Sequence, residues 1–507
     1  MKSIEIEIEK YTTKDIAQLL EPGHHLTLSN QVISAVNRSR SILEEKVKSG
    51  ATIYGVNTGF GKLSQVKISD EDIVKLQKNL ILSHAVGLGN PIPEDITRFI
   101  LLLKVISLSK GSSGVRLEII QRLLDFINLN CLPVIPEQGS VGASGDLAPL
   151  AHMTLPLIGL GKVMHENKIQ NAAKVLPSLE LKPIELSYKE GLALINGTQF
   201  STAYGLYCSL KADKIVKSAD IIGAMTVDGI KGTNQTFRAD VHRLKPHPGQ
   251  IKSAKNLFRL LEKSEIMKSH IDCGVVQDLY CIRCMPQVHG ASRNTLTFFN
   301  EVIETEINSV SDNPLVLEEI GEIISAGHFH AQGVGQAMDC AAIAMTTLGT
   351  ISERRTYAMV NGDYGLPPFL ANSAGINSGF MITQITAAAL ASENKSLSTP
   401  STIDSISTGA GQEDHVSMAP WAGRKLFQII NNVTRVLGIE CLTALQALDF
   451  SDNLKTSPVL ELVRKDIREH VHFLESDRLM DEDLLFIEDY LNGGVLVDIV
   501  EDRLPLE

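Results

Sequence analysis

Residues 142–146 read Gly-Ala-Ser-Gly-Asp, and the three at the centre, Ala143, Ser144 and Gly145, can react with one another. If a tight fold drives the Gly145 amide nitrogen onto the Ala143 carbonyl carbon, a ring closes. Loss of water there and from Ser144 leaves a methylidene-imidazolone, an electrophile of a kind the twenty side chains lack. Each residue type is required. Glycine allows close approach of the nitrogen, serine supplies the leaving hydroxyl and the methylene, and alanine stays small. Average residue usage places this tripeptide in a chain of 507 residues about 0.2 times by chance. Taken alone it reads equally as a surface loop of small residues.

Other groups along the chain carry chemistry of their own. Tyr54 lies between glycines 55, 59 and 61 and the helix before it, so a pliant loop delivers a phenol; a half-buried core tyrosine is the plainer reading. Ser83 and His84 end a helical stretch and precede Ala-Val-Gly-Leu-Gly, a place suited to ligand contact. Asn196-Gly197-Thr198 falls within a predicted helix, and a buried helical Asn-Gly is the sort of local conflict expected at functional sites. Gln277, Tyr280 and Arg283 recur at i, i+3 and i+6, which presents an amide, a phenol and a guanidinium along a turn and a half of helix. An arginine fork suits a substrate carboxylate, with a surface ion pair as the alternative. Glu413 stands in Gly-Gln-Glu-Asp-His, which is either a metal-binding loop or a solvated one.

Several chemistries are disfavoured. Ser107 to Lys110 matches Ser-x-x-Lys and Ser311-Asp312-Asn313 the second element of penicillin-binding enzymes, but the sole Lys-Ser-Gly, at 48 to 50, precedes both. His328 and His330 have no third ligand at metal spacing, and the Cys281-x-x-Cys284 pair has no second pair at zinc spacing. No metal is expected.

The elements that must position these groups are mostly helices. Residues 29 to 50 form an amphipathic helix capped by Ser29 or Asn30. Ser69 with Asp72 opens the helix that ends at Ser83-His84, and helices follow at 93 to 110 and 115 to 129. The stretch 133 to 150 is too rich in Gly and Pro for a regular helix or central strand, so turns set its backbone. Ser187-Tyr-Lys-Glu190 is a capping box for the helix carrying Asn196, and 242 to 250 is a connector. Beyond 200, long helices are predicted at 201 to 231, 252 to 263, 285 to 310, 332 to 361, 376 to 395 and 416 to 448. The expected fold is mainly α, a long antiparallel helical bundle (201–507) with a smaller loop-rich N-terminal catalytic domain (1–200).

Net charge is −12, the wrong sign for nucleic acid or an anionic membrane as an obligatory partner. The N-terminus alternates charge with isoleucine, reading as a short strand without the apolar core of a signal peptide. The charge-free run 364 to 392 is broken by prolines and amides, against a bilayer span. With seven cysteines and no export signal, free thiols and a cytoplasmic location are expected.

The pieces are not independent. Gly142-Ala-Ser-Gly-Asp-Leu-Ala-Pro-Leu150, the Tyr54 loop, Ser83-His84, Asn196-Gly-Thr, Gln277-Asp-Leu-Tyr-Cys-Ile-Arg283, 308 to 315 and Gln412-Glu-Asp-His-Val-Ser-Met418 together resemble the aromatic amino-acid ammonia-lyases, in order, over about residues 4 to 490. The resemblance implies that Ala143, Ser144 and Gly145 become the methylidene-imidazolone, with no metal or dissociable cofactor. It makes Tyr54 the base for a β-proton and Arg283 the carboxylate anchor, with Asn196 near that carboxylate and the ring oxygen. Gln277 and Tyr280 position these groups, and Phe329 packs beside the electrophile. Ser83, His84 and Glu413 together are typical of the histidine-specific members, where an imidazole finds a hydrogen-bond acceptor that a phenyl ring would leave desolvated. L-Histidine, giving trans-urocanate, is therefore the expected substrate, and a homotetramer with sites built from several subunits the expected assembly. His328, Gln332 and Gly333 depart from the family pattern around Phe329. That keeps open a tyrosine or phenylalanine ammonia-lyase, or a 2,3-aminomutase on the same scaffold. The other class of alternative is a catalytically inactive helical scaffold.

Overall fold

The computed structural model describes residues 2–271, 273–451 and 453–507. The protein is mainly α-helical, and the strands among the described residues are short and form small two- and three-stranded sheets. The N-terminal strand Lys2–Ile6 pairs in parallel with His24–Leu28. No described helix is long and apolar enough to cross a membrane.

The helix ends follow local signals. Ser29 accepts from the Val32 amide and starts Asn30–Lys48, which buries Val32, Val36 and Leu43. The next helix begins after a 3-10 turn at Asp70–Asp72 and runs Ile73–His84, so His84 does occupy a helix terminus. Glu94–Ser109 is buried along nearly its whole length. Its one fully buried charged residue, Lys104, is only 1 % exposed. The long helices expected beyond residue 200 appear as Gln199–Gly229, Pro248–Leu260, Met285–Ile307, Gln332–Val360, Met381–Leu397 and Ala419–Asp449.

Three local expectations are corrected. Helix Glu190–Ile195 stops before the Asn-Gly pair: Asn196 caps it in an extended conformation, Gly197 has φ +125°, and a new helix begins at Gln199. The capping box is half made, because Glu190 accepts from the Ser187 amide while the Ser187 hydroxyl serves Arg40 and Lys189 is left-handed. The stretch 242 to 250 is partly helical, Ala239–Arg243 running into it and Pro248–Leu260 beginning within it.

The chain divides into two compact units. The first comprises residues up to Tyr207, Asn300–Met338 and Pro400–Arg424; the second comprises Cys208–Phe299, Asp339–Thr399 and Lys425–Glu507. The second unit holds a chain of buried and partly buried polar groups. Arg293 and Asn256 both donate to Asp220, which accepts from His289 Nδ1 at 2.8 Å. Arg355 donates to His289 Nε2 at 3.2 Å and pairs with Glu440 through two nitrogens, and Thr226 donates to Glu440. With Nε2 an acceptor and burial pushing its pKa down, His289 is neutral. Two arginines then balance two carboxylates.

Candidate active site

The backbone of the tripeptide is bent back on itself. Ser144 has φ +52° and Gly145 φ +79°, successive left-handed residues in the φ pattern of a type I′ turn. Serine reaches this region at a steric cost of roughly 1–2 kcal/mol. The neighbouring backbone permits no side chain at Gly145, because a Cβ there would lie 2.2 Å from the Gly197 carbonyl oxygen. Asp146 donates its amide to that same oxygen at 2.8 Å. A Cβ at Gly142 would likewise lie 2.1 Å from the Ser417 hydroxyl, and Met418 donates to the Val141 carbonyl. The tripeptide is thus held by the Asn196-Gly197 turn and by the segment following Glu413, and helix Leu147–Thr154 starts directly after it.

Glu413 reaches it. Its Oε1 accepts from the Ser144 hydroxyl at 2.8 Å, and its Oε2 accepts from the Thr408 hydroxyl at 2.8 Å. A backbone bridge between Thr408 and Glu413 fixes the loop that carries it. Phe329 sits half-buried in the turn before helix Gln332–Val360. The next residue, His330, stacks on His415 with ring centroids 5.7 Å apart, which ties this turn to the Glu413 loop. Of the residues departing from the family pattern, Gln332 buries an Oε1 that has no partner.

Ser83 and His84 cap their helix with their own side chains. Both donate to the Leu80 carbonyl, His84 through Nδ1 at 2.8 Å. The following turn is tied down by Gly87, whose amide donates to His152 Nε2. Tyr54 occupies the glycine-punctuated loop, and its hydroxyl accepts from the Gly61 amide at 3.2 Å. Gln77 anchors that loop: its Nε2 donates to the Gly55 carbonyl, and its Oε1 accepts from the amides of Gly191 and Leu192. One buried side chain therefore joins the tyrosine loop to the start of the helix that ends at Asn196.

Buried charge surrounds the Asn196 turn. Lys104 donates to the Ala193 and Asn196 carbonyls at 3.1 and 2.7 Å, satisfying the helix C-terminus. Burial pushes its pKa down to about 7. Asp146 accepts twice from Ser201, and burial still pushes its carboxyl up to about 6. Lys189 pairs with Asp312 at 2.6 Å, and Thr198 donates to Glu306, whose carboxyl is raised by burial. Within this shell Asn196 Oδ1 and Gln199 Oε1 are buried without a partner, each at a cost of about 1–3 kcal/mol if left so.

Gln277, Tyr280 and Arg283 lie in the second unit. Only Tyr280–Arg283 is helical, so Gln277 is not on a shared turn as its spacing suggested. Arg283 stacks on the Tyr280 ring at 4.5 Å and donates to the Asp278 carbonyl. Gln277 is exposed, and Tyr280 is 72 % exposed. Cys281 and Cys284 are free thiols, and no group of three His, Cys, Asp or Glu among the described residues could hold a metal ion.

Sequence reasoning passed over Gln77, Lys104, Asp146 and His152. Two of these left a visible trace: Gln77 and Lys104 are polar residues on faces that their neighbours mark as apolar, between Ile73 and Leu80 and within 99 to 108 respectively.

The chain belongs to the aromatic amino acid lyase family, whose model matches residues 11–469. It is a carbon–nitrogen lyase. It is 43% identical over 504 residues, 99% of each chain, to the histidine ammonia-lyase of Caldanaerobacter subterraneus subsp. tengcongensis. The crystal structure of histidine ammonia-lyase from Trypanosoma cruzi superposes with a TM-score of 0.92 at 38% identity, covering 100% of this chain and 96% of that one. Tyrosine aminomutase from Streptomyces globisporus gives a TM-score of 0.93 at 33% identity, covering 100% and 99%. The backbone is common to lyases and mutases, so side chains must separate them.

Proposed function

We infer that the protein eliminates ammonia from L-histidine to give trans-urocanate, as the first step of histidine degradation in the cytoplasm, with Ala143-Ser144-Gly145 converted to a methylidene-imidazolone. The observation that carries this reading is the 2.8 Å approach of Glu413 to Ser144, which sets a carboxylate able to accept from an imidazole beside the residue that would become electrophilic. The residues fit such a ring: Gly145 has no room for a Cβ, Ser144 is already left-handed, and Asn196 holds an unpartnered buried oxygen close to the Gly197 contact.

The methylidene-imidazolone would supply an electrophilic methylene able to turn the substrate amine into a better leaving group. The chain supplies the rest. Arg283 binds the substrate carboxylate with its fork, and Gln277 and Tyr280 orient it. Tyr54 takes the β-proton on its hydroxyl oxygen, which in the resting structure accepts from Gly61. Glu413 accepts from the single N–H of the neutral imidazole, and His84, whose Nδ1 donates to the Leu80 carbonyl, helps to hold the ring. Ser83 supports His84 at 3.0 Å. Phe329 packs beside the electrophile. Gln277, Tyr280 and Arg283 act across subunits of a homotetramer, for which the exposure of Gln277 and Tyr280 leaves them available.

Incubation with L-histidine, L-tyrosine and L-phenylalanine, followed by ultraviolet absorbance of the unsaturated acid, tests the reading. Histidine should give urocanate, and Ser144→Ala should lower its rate by on the order of a thousandfold or more. Turnover of another amino acid without histidine overturns the specificity. Accumulation of a β-amino acid makes the protein an aminomutase.

A further inference from the structure

Lys104 is a charged side chain in the middle of a buried apolar helix, and such a residue is retained only where its donors are used. Both carbonyls it serves belong to the end of helix Glu190–Ile195, and one of them is the carbonyl of Asn196 itself. The next peptide unit delivers the Gly197 carbonyl that touches Gly145 and accepts from Asp146. Gly197 is confined from behind as well, because a Cβ there would lie 2.5 Å from the Ser311 carbonyl oxygen. Two anchors thus fix the wall against which the tripeptide bends, and Lys104 is the one on the Asn196 side.

We propose that Lys104 is a positioning residue for assembly of the electrophile: by holding the Ala193 and Asn196 carbonyls it keeps the Gly197 peptide against Ala143-Ser144-Gly145, so that ring closure competes with the extended backbone. The proposal rests on the reading of 143–145 given above. In the closure, the Gly145 N–H adds across the Ala143 carbonyl, its proton passing to the oxygen. That hydroxyl leaves as water with the Ser144 amide proton, and a second water leaves with the Ser144 α-proton and hydroxyl. No oxidant is needed. Lys104 touches none of these atoms and acts through Asn196 and Gly197 by restricting their geometry.

The test uses the full-length protein as wild type, Lys104→Arg, Lys104→Met and Lys104→Gln, with two readouts: the mass of the proteolytic peptide carrying Ser144, and cooperative thermal unfolding. Wild type and Lys104→Arg, which keeps donors at the end of a long stem, should both be lighter by two waters. Lys104→Met should unfold cooperatively yet show at least a tenfold smaller dehydrated fraction. If it does not fold, Lys104→Gln, which falls short of the two carbonyls, carries the same expectation. Full dehydration in folded Lys104→Met or Lys104→Gln overturns the proposal, as does folded Lys104→Arg without the mass loss. Failure of all three to fold overturns it too, making Lys104 a stability element only. An unmodified peptide in the wild type instead overturns the reading of 143–145 and is recognised by that control alone.

Discussion

Two groups of buried polar residues, one in each unit, show what separates a frame from a site. In the second unit Arg293, Asp220, His289, Arg355 and Glu440 form an unbroken series in which each donor meets an acceptor. The group around Ala143-Ser144-Gly145 in the first unit has comparable burial but different completeness. Asn196 Oδ1 and Gln199 Oε1 have no partner, and Ser144 and Lys189 are left-handed. Strain and unpaired atoms persist where the surrounding structure holds them for a purpose, whereas a closed network spends its polarity on itself. Identity of residue type does not mark the difference, since both groups hold carboxylates and cations.

The comparison can be broken at three points. Substitution on the site side should alter chemistry and leave folding alone. Glu413→Gln is expected to lower kcat/KM for histidine by about a hundredfold or more, because the imidazole loses its charged acceptor, with little change in the denaturation midpoint. An unchanged histidine rate would remove Glu413 from the specificity argument. Substitution on the frame side should do the reverse. Arg355→Met leaves Glu440 buried and uncompensated and is expected to cost about 3–5 kcal/mol in urea unfolding, while the folded fraction keeps its dehydrated Ser144 peptide. Loss of that modification in well-folded Arg355→Met would show that the two groups are not separable.

A smaller effect sharpens the contrast through pH. Burial lowers the Lys104 pKa from 10.5 to about 7, so between these values the unfolded chain binds a proton that the folded one does not. Its contribution to stability is therefore present above the unfolded value and is lost as pH falls through about 7. Relative to Lys104→Met, the wild type should gain stability as pH rises from 7 towards 10. A parallel pH dependence in the two proteins would mean that the folded lysine keeps its ordinary affinity for protons.

Much of the fold was legible because helix ends obey local rules. Ser29 starts its helix, and the long helices beyond residue 200 begin and end within a few residues of their expected bounds. The misread places are those where distant residues decide. Asn196-Gly197 looked like a helix interior, yet Lys104, ninety-odd positions earlier, caps the helix in front of it and Ser311 crowds Gly197 from behind. The spacing of Gln277, Tyr280 and Arg283 suggested one helical face, but the helix covers only the last two. The pairing of Ser144 with Glu413 spans 269 positions and leaves no local trace in either segment. The residue types at 54, 83, 84, 196 and 413 marked candidates, and the resemblance among motifs joined them. His152 went unnoticed because it acts on a backbone amide, which sequence patterns do not display, whereas Gln77 stands out only as a polar residue on an apolar face.

The central claim is that residues 143–145 make the reactive group themselves, and the mass of the peptide that carries them is its most direct test. Wild-type protein that turns over L-histidine should yield this peptide lighter by two waters, and Ser144→Ala should yield it without the serine-derived loss and without turnover. A wild-type peptide of unaltered mass from protein fully active on histidine would contradict the account.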